Sequence, residues 1–135
     1  MTEPITMLVV EDQDFMRRAL RDYLQSAYPD AAIMEAADGA RALQLCRSSC
    51  PRLVLMDVTL PDANGIELTA QIKEMLPETE VVIVSQHAVE AYVERAHAAG
   101  AFAYITKDKV YRELLPTIDR ALGRAPPERE HGKTQ

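Results

Sequence analysis

The sequence has no tryptophan, two cysteines and five glycines, and aromatic residues account for 5% of its 135 positions. Its hydrophobic runs reach only four or five residues, whereas a membrane-spanning helix needs about 20. Cys46 and Cys50 lack the spacing and the nearby histidines of a zinc site. The polar first residues do not fit a signal peptide. These absences predict a cytoplasmic protein with two reduced thiols and no membrane anchor.

Positive charge is also scarce, because 15 lysines and arginines against 21 acidic residues give a net charge of −6. A surface that binds the phosphate backbone needs clustered lysine and arginine, so we expect no direct contact with nucleic acid. The length suffices for one domain with its own core. We expect this domain to cover residues 1–123. Residues 124–135 lack hydrophobic periodicity and are predicted to form a flexible polar tail.

Short apolar runs alternate with segments of helical periodicity along the chain. Residues 53–56 are apolar without polar alternation, which is typical of a strand buried on both faces. Similar runs lie at 7–10, 81–84 and 102–105, and a weaker one at 31–36. Five strands alternating with five helices predict an α/β, flavodoxin-like fold with a doubly wound parallel sheet in the order 2-1-3-4-5.

Residues with reactive or charged side chains follow four of these runs: Glu11 and Asp12, Asp57, Ser85 and Lys107. Because parallel strands end at one edge of the sheet, we expect these side chains to converge. Three carboxylates repel one another unless a cation lies among them, and an all-oxygen ligand set favours Mg²⁺, with Mn²⁺ as an alternative. A carboxylate beside a metal ion, an ammonium and a hydroxyl is suited to accept a phosphoryl group.

The order and spacing of several motifs identify a resemblance. They are Val9-Val10-Glu11-Asp12, Asp57 with Pro61 and Gly65, Val84-Ser85, Ala99-Gly100-Ala101 and Tyr104-Ile105-Thr106-Lys107. Over residues 5–123 the chain resembles the receiver domain of two-component response regulators, most of all those that precede helix-turn-helix DNA-binding domains. The resemblance implies that Asp57 is the phosphoacceptor and Asp12 a direct Mg²⁺ ligand. Glu11 would assist through water, and the backbone carbonyl of Thr59 would complete the protein ligands.

The resemblance also implies roles around the phosphoryl group. Ser85 and Lys107 would contact it, and the side chain of Tyr104 would swing inward when Ser85 is drawn to the phosphate. Gln86 replaces the very small residue common in the family and is expected to narrow access to Asp57. His87 and Thr59 occupy the two variable positions that flank the site and are expected to affect the lifetime of the acyl phosphate.

Two further departures concern the backbone near the carboxyl end. Lys107 is followed by Asp108 rather than by the proline that many relatives carry, so the isomer of this peptide bond is left open. Pro116 falls inside the last helical pattern, where an interior proline costs about 3 kcal/mol. We therefore expect the last helix to start late or to kink.

The partners that the resemblance implies are a sensor histidine kinase or phosphotransfer protein as donor, and a downstream protein or a DNA-binding domain outside this chain. The surface of the fourth helix, fifth strand and fifth helix would change on phosphorylation and control that partner, in transcription regulation or through a phosphorylation-linked homodimer. Slow self-phosphorylation and self-dephosphorylation would be the protein's only catalysis.

Other interpretations of the same residues remain open. An aspartate-nucleophile phosphohydrolase generally places a second acid two residues after the nucleophile, where this chain has Thr59. A flavodoxin-like cofactor binder would need a phosphate-cradling loop after the first strand, where Glu11 and Asp12 would repel a phosphate. Ser85 could cap the following helix, and Tyr104 could be edge packing.

Overall fold

The computed structural model describes residues 4–124. Five strands form one parallel sheet in the order β2-β1-β3-β4-β5, which confirms the predicted fold. A short 3-10 turn, Lys107–Lys109, precedes the last helix. The elements in chain order are β1 (Thr6–Val10), α1 (Asp14–Ala27), β2 (Ala32–Ala36), α2 (Gly39–Ser49), β3 (Leu53–Met56), α3 (Gly65–Met75), β4 (Glu80–Ser85), α4 (Glu90–Ala98), β5 (Ala103–Thr106) and α5 (Val110–Ala121).

The sheet is covered on both faces. Along β3, Val54 and Met56 point into one apolar cluster, which also contains buried residues of α2, α3 and α4. Leu53 and Leu55 point into the other cluster, with buried residues of α1 and α5. All four side chains are essentially inaccessible to solvent. An apolar run without alternation is therefore explained by a strand that has protein on both sides.

The loop after β3 is held close to the strand that precedes it. The Gly65 amide donates a hydrogen bond to the Val58 carbonyl at 2.7 Å. A Cβ atom at Gly65 would overlap the carbonyl oxygen of Asp57, so only glycine fits there. The Asn64 side chain caps α3 by accepting hydrogen bonds from Ile66 N and Glu67 N. These contacts fix the backbone that follows Asp57.

The helices correct two expectations. Helix α5 begins at Val110 and runs through Pro116, so the expected late start is wrong, and a kink at Pro116 stays a prediction. Pro116 lies on the exposed side, and the burial of Val110, Leu114 and Ile118 on the other side offsets the lost hydrogen bond.

Helix α4 begins at Glu90 with Val89 as its N-cap, so Ser85 does not cap it. The Lys107–Asp108 peptide bond is trans, as are the other peptide bonds between residues 4 and 124. None of the helices in this range is both long and apolar enough to cross a membrane. The predicted tail lies outside the described residues except for Arg124.

Candidate metal and phosphoryl site

The ends of β1 and β3 bring the acidic residues together. Val10 and Met56 are partners in the parallel register of these two strands. The Asp57 amide extends the pairing by donating to the Val10 carbonyl at 3.1 Å. On the other side of β1, the Glu11 amide donates to the Ala36 carbonyl of β2 at 3.0 Å. The backbone at both strand ends is therefore fixed by the sheet itself.

Three carboxyl groups converge at this edge. Glu11, Asp12 and Asp57 each place one oxygen so that the three atoms lie within 4.8 Å of one another. Glu11 and Asp57 are 1% and 8% exposed, whereas Asp12 is open to solvent. The pKa of Asp57 is raised to about 6, first by burial and then by the charge of Glu11, against the opposing effect of Lys107. The cluster is thus electrostatically unfavourable without a further cation.

Lys107, which directly follows β5, supplies one positive charge to the pocket. Its Nζ atom lies 2.8 Å from Glu11 Oε1 and 3.7 Å from Asp57 Oδ2. The lysine side chain is 12% exposed and that of Glu11 only 2%. Burial of the pair strengthens the attraction between the two charges. Lys107 is therefore held beside Asp57 through its contact with Glu11.

The residues after β4 form a second group of contacts. Ser85 is fully buried, and its Oγ atom accepts a hydrogen bond from the His87 amide at 3.0 Å. The Tyr104 hydroxyl donates to the His87 carbonyl at 2.7 Å. Both backbone groups of His87 are thus held, one by Ser85 and the other by Tyr104. The His87 ring makes an edge contact with Tyr92 of α4 at 5.9 Å between ring centroids.

The pocket between these groups is open to solvent. Ser85 and Tyr104 are not among its lining residues, although both contact His87, which is. Gln13 also lines the pocket, and its backbone amide donates to Glu11 Oε2 at 3.1 Å. Gln13 was not predicted as a site residue, although its position directly after the acid pair could have indicated it. The lining residues are Glu11, Asp12, Gln13, Asp57, Thr59, Gln86, His87 and Lys107.

Comparison with known proteins shows the family to which the chain belongs. Residues 7–119 match the family described as the response regulator receiver domain. The chain belongs to this family. The receiver domain is 36% identical over 116 residues to the chemotaxis protein CheY of Halobacterium salinarum, covering 86% of this chain and 95% of that protein. It is 34% identical over 120 residues to the uncharacterized transcriptional regulatory protein YxjL of Bacillus subtilis, covering 88% of this chain and 55% of that protein.

A solved structure and the curated relatives add two observations. A two-component response regulator of the LuxR family from an Aurantimonas species superposes with a TM-score of 0.82 at 32% identity, covering 90% of this chain and 88% of that chain. This receiver domain spans about half the length of several transcriptional regulators that it matches.

The ligand atoms of this receiver domain fit a hard divalent cation. All the candidate ligands are oxygens, and the pocket leaves room for water on its open side. Thr59, whose carbonyl is the expected fourth protein ligand, lies at the pocket wall. A bound cation would offset the burial and the charge of Glu11, which in that order raise the pKa of Asp57. The acidic cluster therefore has the composition of a magnesium site.

Proposed function

We propose that this receiver domain accepts a phosphoryl group on Asp57 in an Mg²⁺-dependent reaction. The donor is a phosphohistidine of a sensor kinase or phosphotransfer protein. The observation that carries this proposal is the position of Asp57, which is buried between two other acids and an ammonium group in a pocket open to solvent. No stability requirement accounts for three adjacent carboxyl groups, whereas phosphoryl transfer requires both a nucleophile and groups that stabilise charge.

In the proposed reaction an oxygen of Asp57 attacks phosphorus, the phosphorus–nitrogen bond breaks, and the imidazole leaves with the electron pair. Asp12, Asp57, Glu11 through water, and the carbonyl of Thr59 would hold Mg²⁺, which supplies positive charge to the phosphoryl oxygens when bound. The Lys107 ammonium is close enough to Asp57 to contact the transferred group. Ser85 accepts a hydrogen bond from His87, which leaves its own proton available for a phosphoryl oxygen.

The proposed output begins at the same serine. If Ser85 turned toward the phosphoryl group, its hydrogen bond with the His87 amide would be lost. The Tyr104 hydroxyl holds the other side of that residue, so both Tyr104 and the loop before α4 would rearrange. The surface formed by α4, β5 and α5 would then present different contacts to a downstream protein, to an attached DNA-binding domain or to a second copy. The phosphoryl group shifts this equilibrium only through contacts that differ between the two states.

A phosphate-affinity gel tests the acceptor. The protein is incubated with acetyl phosphate and Mg²⁺, and the retarded band is quantified for the wild type, Asp57→Asn and Lys107→Ala. We expect one label per wild-type chain, none in Asp57→Asn, and labelling at least about tenfold slower in Lys107→Ala, since a charge that stabilises the transition state is lost. Lys109→Ala, which removes an exposed lysine two residues away, is the matched control and should label normally.

Two further results separate the switch from the phosphohydrolase. Chelation of divalent ions should abolish the label. Incubation with a phosphomonoester should give no release of phosphate in large excess over protein. A label that persists in Asp57→Asn would move the acceptor elsewhere, and rapid multiple turnover would favour the enzyme.

A further inference from the structure

Arg17, in the first turn of α1, directs its guanidinium group back over the loop that carries the acid pair. Its Nη1 atom donates to the backbone carbonyl of Glu11 at 3.0 Å. Its Nε atom donates to Glu35 at 3.0 Å and its Nη2 atom to Asp14 at 2.7 Å. The arginine side chain is only 11% exposed. All three nitrogen atoms of the side chain are thus engaged at once.

Glu35 connects this arginine to the sheet. It lies on β2 as the register partner of Val9, two residues before Glu11. Its second oxygen accepts a hydrogen bond from Arg21 at 2.9 Å. The planar fork of an arginine can hold several acceptors in fixed directions, which a lysine cannot do. Arg17 is therefore a rigid connection between β2, the beginning of α1 and the end of β1.

We propose that Arg17 is a positioning residue for the acidic cluster. The Glu11 carbonyl belongs to the peptide unit that joins Glu11 to Asp12, so holding this oxygen fixes the orientation of that unit. The orientation in turn sets the direction in which the Asp12 side chain leaves the backbone. Because the carboxyl groups repel one another, the loop that carries Glu11 and Asp12 would lower its electrostatic energy by moving away from Asp57. The hydrogen bond from Arg17 opposes that movement. This inference rests on the proposed function, since the ligand of the cluster is taken to be Mg²⁺.

Removal of Arg17 should change the Mg²⁺ affinity in opposite directions, depending on whether its charge or its hydrogen bond to Glu11 matters more. A guanidinium group near a cation site repels the cation, so the loss of its charge alone would strengthen Mg²⁺ binding. Loss of the connection to Glu11 would weaken binding, because the ligand oxygens would no longer be held together before the ion arrives. The sign of the change in affinity therefore distinguishes the two roles.

The test compares Arg17→Met with Arg18→Met. Arg18 is its exposed neighbour on α1, so both variants lose one positive charge from adjacent positions of the same helix. Mg²⁺ affinity is measured by calorimetry, and Mn²⁺ affinity by electron paramagnetic resonance. We expect about tenfold weaker binding in Arg17→Met and unchanged or slightly tighter binding in Arg18→Met. Arg17→Lys should also bind more weakly, although its charge is unchanged.

Amide hydrogen exchange of the metal-free protein tests whether Arg17 holds the loop of residues 11–13. In Arg17→Met and Arg17→Lys, the amides of residues 11–13 should exchange with solvent faster than in the wild type, while those of β3 and β4 remain protected. Equal or tighter Mg²⁺ binding in both Arg17 variants, or unchanged exchange at residues 11–13, would overturn the inference. If the wild type itself bound no divalent ion, the proposed function would fail, and the assignment of Arg17 to a metal site with it.

Discussion

Two buried aspartates lie at opposite ends of this receiver domain, and they have different surroundings. Asp57 follows β3 at the carboxyl edge of the sheet, and Asp119 lies near the end of α5, next to the turn that follows α1. Their exposed fractions are similar, 8% and 6%. Asp57 has Glu11 and Lys107 beside it and faces an open pocket. Asp119 accepts a hydrogen bond from the Tyr28 hydroxyl at 2.8 Å and is not among the residues that line the pocket at Asp57.

Burial of an acid does not by itself mark a reactive site. Asp119 Oδ2 has no hydrogen-bond partner within residues 4–124, but among these residues Asp119 belongs to no group of acids that could hold a metal ion, whereas Asp57 does. It joins α5 to the end of α1, where the guanidinium of Arg124 also lies over the Tyr28 ring at 5.3 Å. Asp57 is distinguished by the charges around it and by access from solvent. We therefore assign Asp57 to the proposed phosphoryl transfer and Asp119 to packing.

Substitution of the two aspartates should change phosphorylation very differently. Asp57→Asn should abolish the label from acetyl phosphate, because the amide is not a nucleophile of the required kind. Asp119→Asn, the same substitution at the other buried aspartate, should retain at least half of the wild-type labelling rate. The measurement is the time course of the retarded band on a phosphate-affinity gel. Equal losses in the two variants would remove the distinction between the aspartates.

Asp57→Asn, which should abolish phosphorylation, is expected to increase the stability of the metal-free protein. The pKa of Asp57 is raised to about 6 in the folded, metal-free protein, above its value in the unfolded chain. The folded state therefore holds the proton more tightly, and the buried charge destabilises it at higher pH. At pH 7.5 with chelator, Asp57→Asn should raise the free energy of unfolding by about 2 kcal/mol, somewhat less than a two-unit shift would give without solvent screening.

The pH dependence provides the internal check. The increase in the free energy of unfolding caused by Asp57→Asn should be complete above pH 6 and decrease between about pH 6 and pH 4. It should vanish below that range, where the wild-type carboxyl group is protonated in both the folded and the unfolded state. Urea unfolding at several pH values measures it, and Asp30→Asn, at an exposed position, should change little. A gain independent of pH would show that charge is not its cause.

Much of the fold and of the strand-end residues could be predicted because both depend on local sequence. Residues 53–56 are apolar without alternation, which indicates a two-sided strand, and Asp57 follows directly. In a parallel sheet the strand order alone then decides which loops are neighbours. Asp38 and Asn64 at helix starts, and Gly100 after α4, follow rules that involve only a few adjacent residues.

Contacts between distant segments could not be predicted in this way. The primary partner of Lys107 in the structure is Glu11, 96 residues earlier, and that choice depends on how β5 packs relative to β1. The fork of Arg17 onto the Glu11 carbonyl depends on a side-chain conformation that periodicity does not specify. Helix α5 also runs through Pro116 because its buried face outweighs a local penalty. In each case the deciding term is tertiary packing.

The hydrogen bond between Tyr28 and Asp119 should contribute modestly to stability. Tyr28→Phe removes the hydroxyl that donates to Asp119 and leaves the buried carboxyl group without this donor. We expect the free energy of unfolding to fall by about 1 kcal/mol, the usual scale for a buried hydrogen bond. Labelling by acetyl phosphate should be unchanged, because the pair lies away from the pocket. Chemical unfolding and the phosphate-affinity gel measure the two quantities on the same preparation.

Tyr111→Phe is the matched control, since it removes a hydroxyl from a side chain that is 72% exposed and should alter stability by less than about 0.5 kcal/mol. The combination Tyr28→Phe with Asp119→Leu should recover part of the loss, because both polar partners are then replaced by apolar groups. If Tyr28→Phe slowed labelling while stability was unchanged, the end of α1 would be coupled to the pocket. Asp119 would then have to be regarded as part of the switch, and the contrast between the two aspartates would no longer hold.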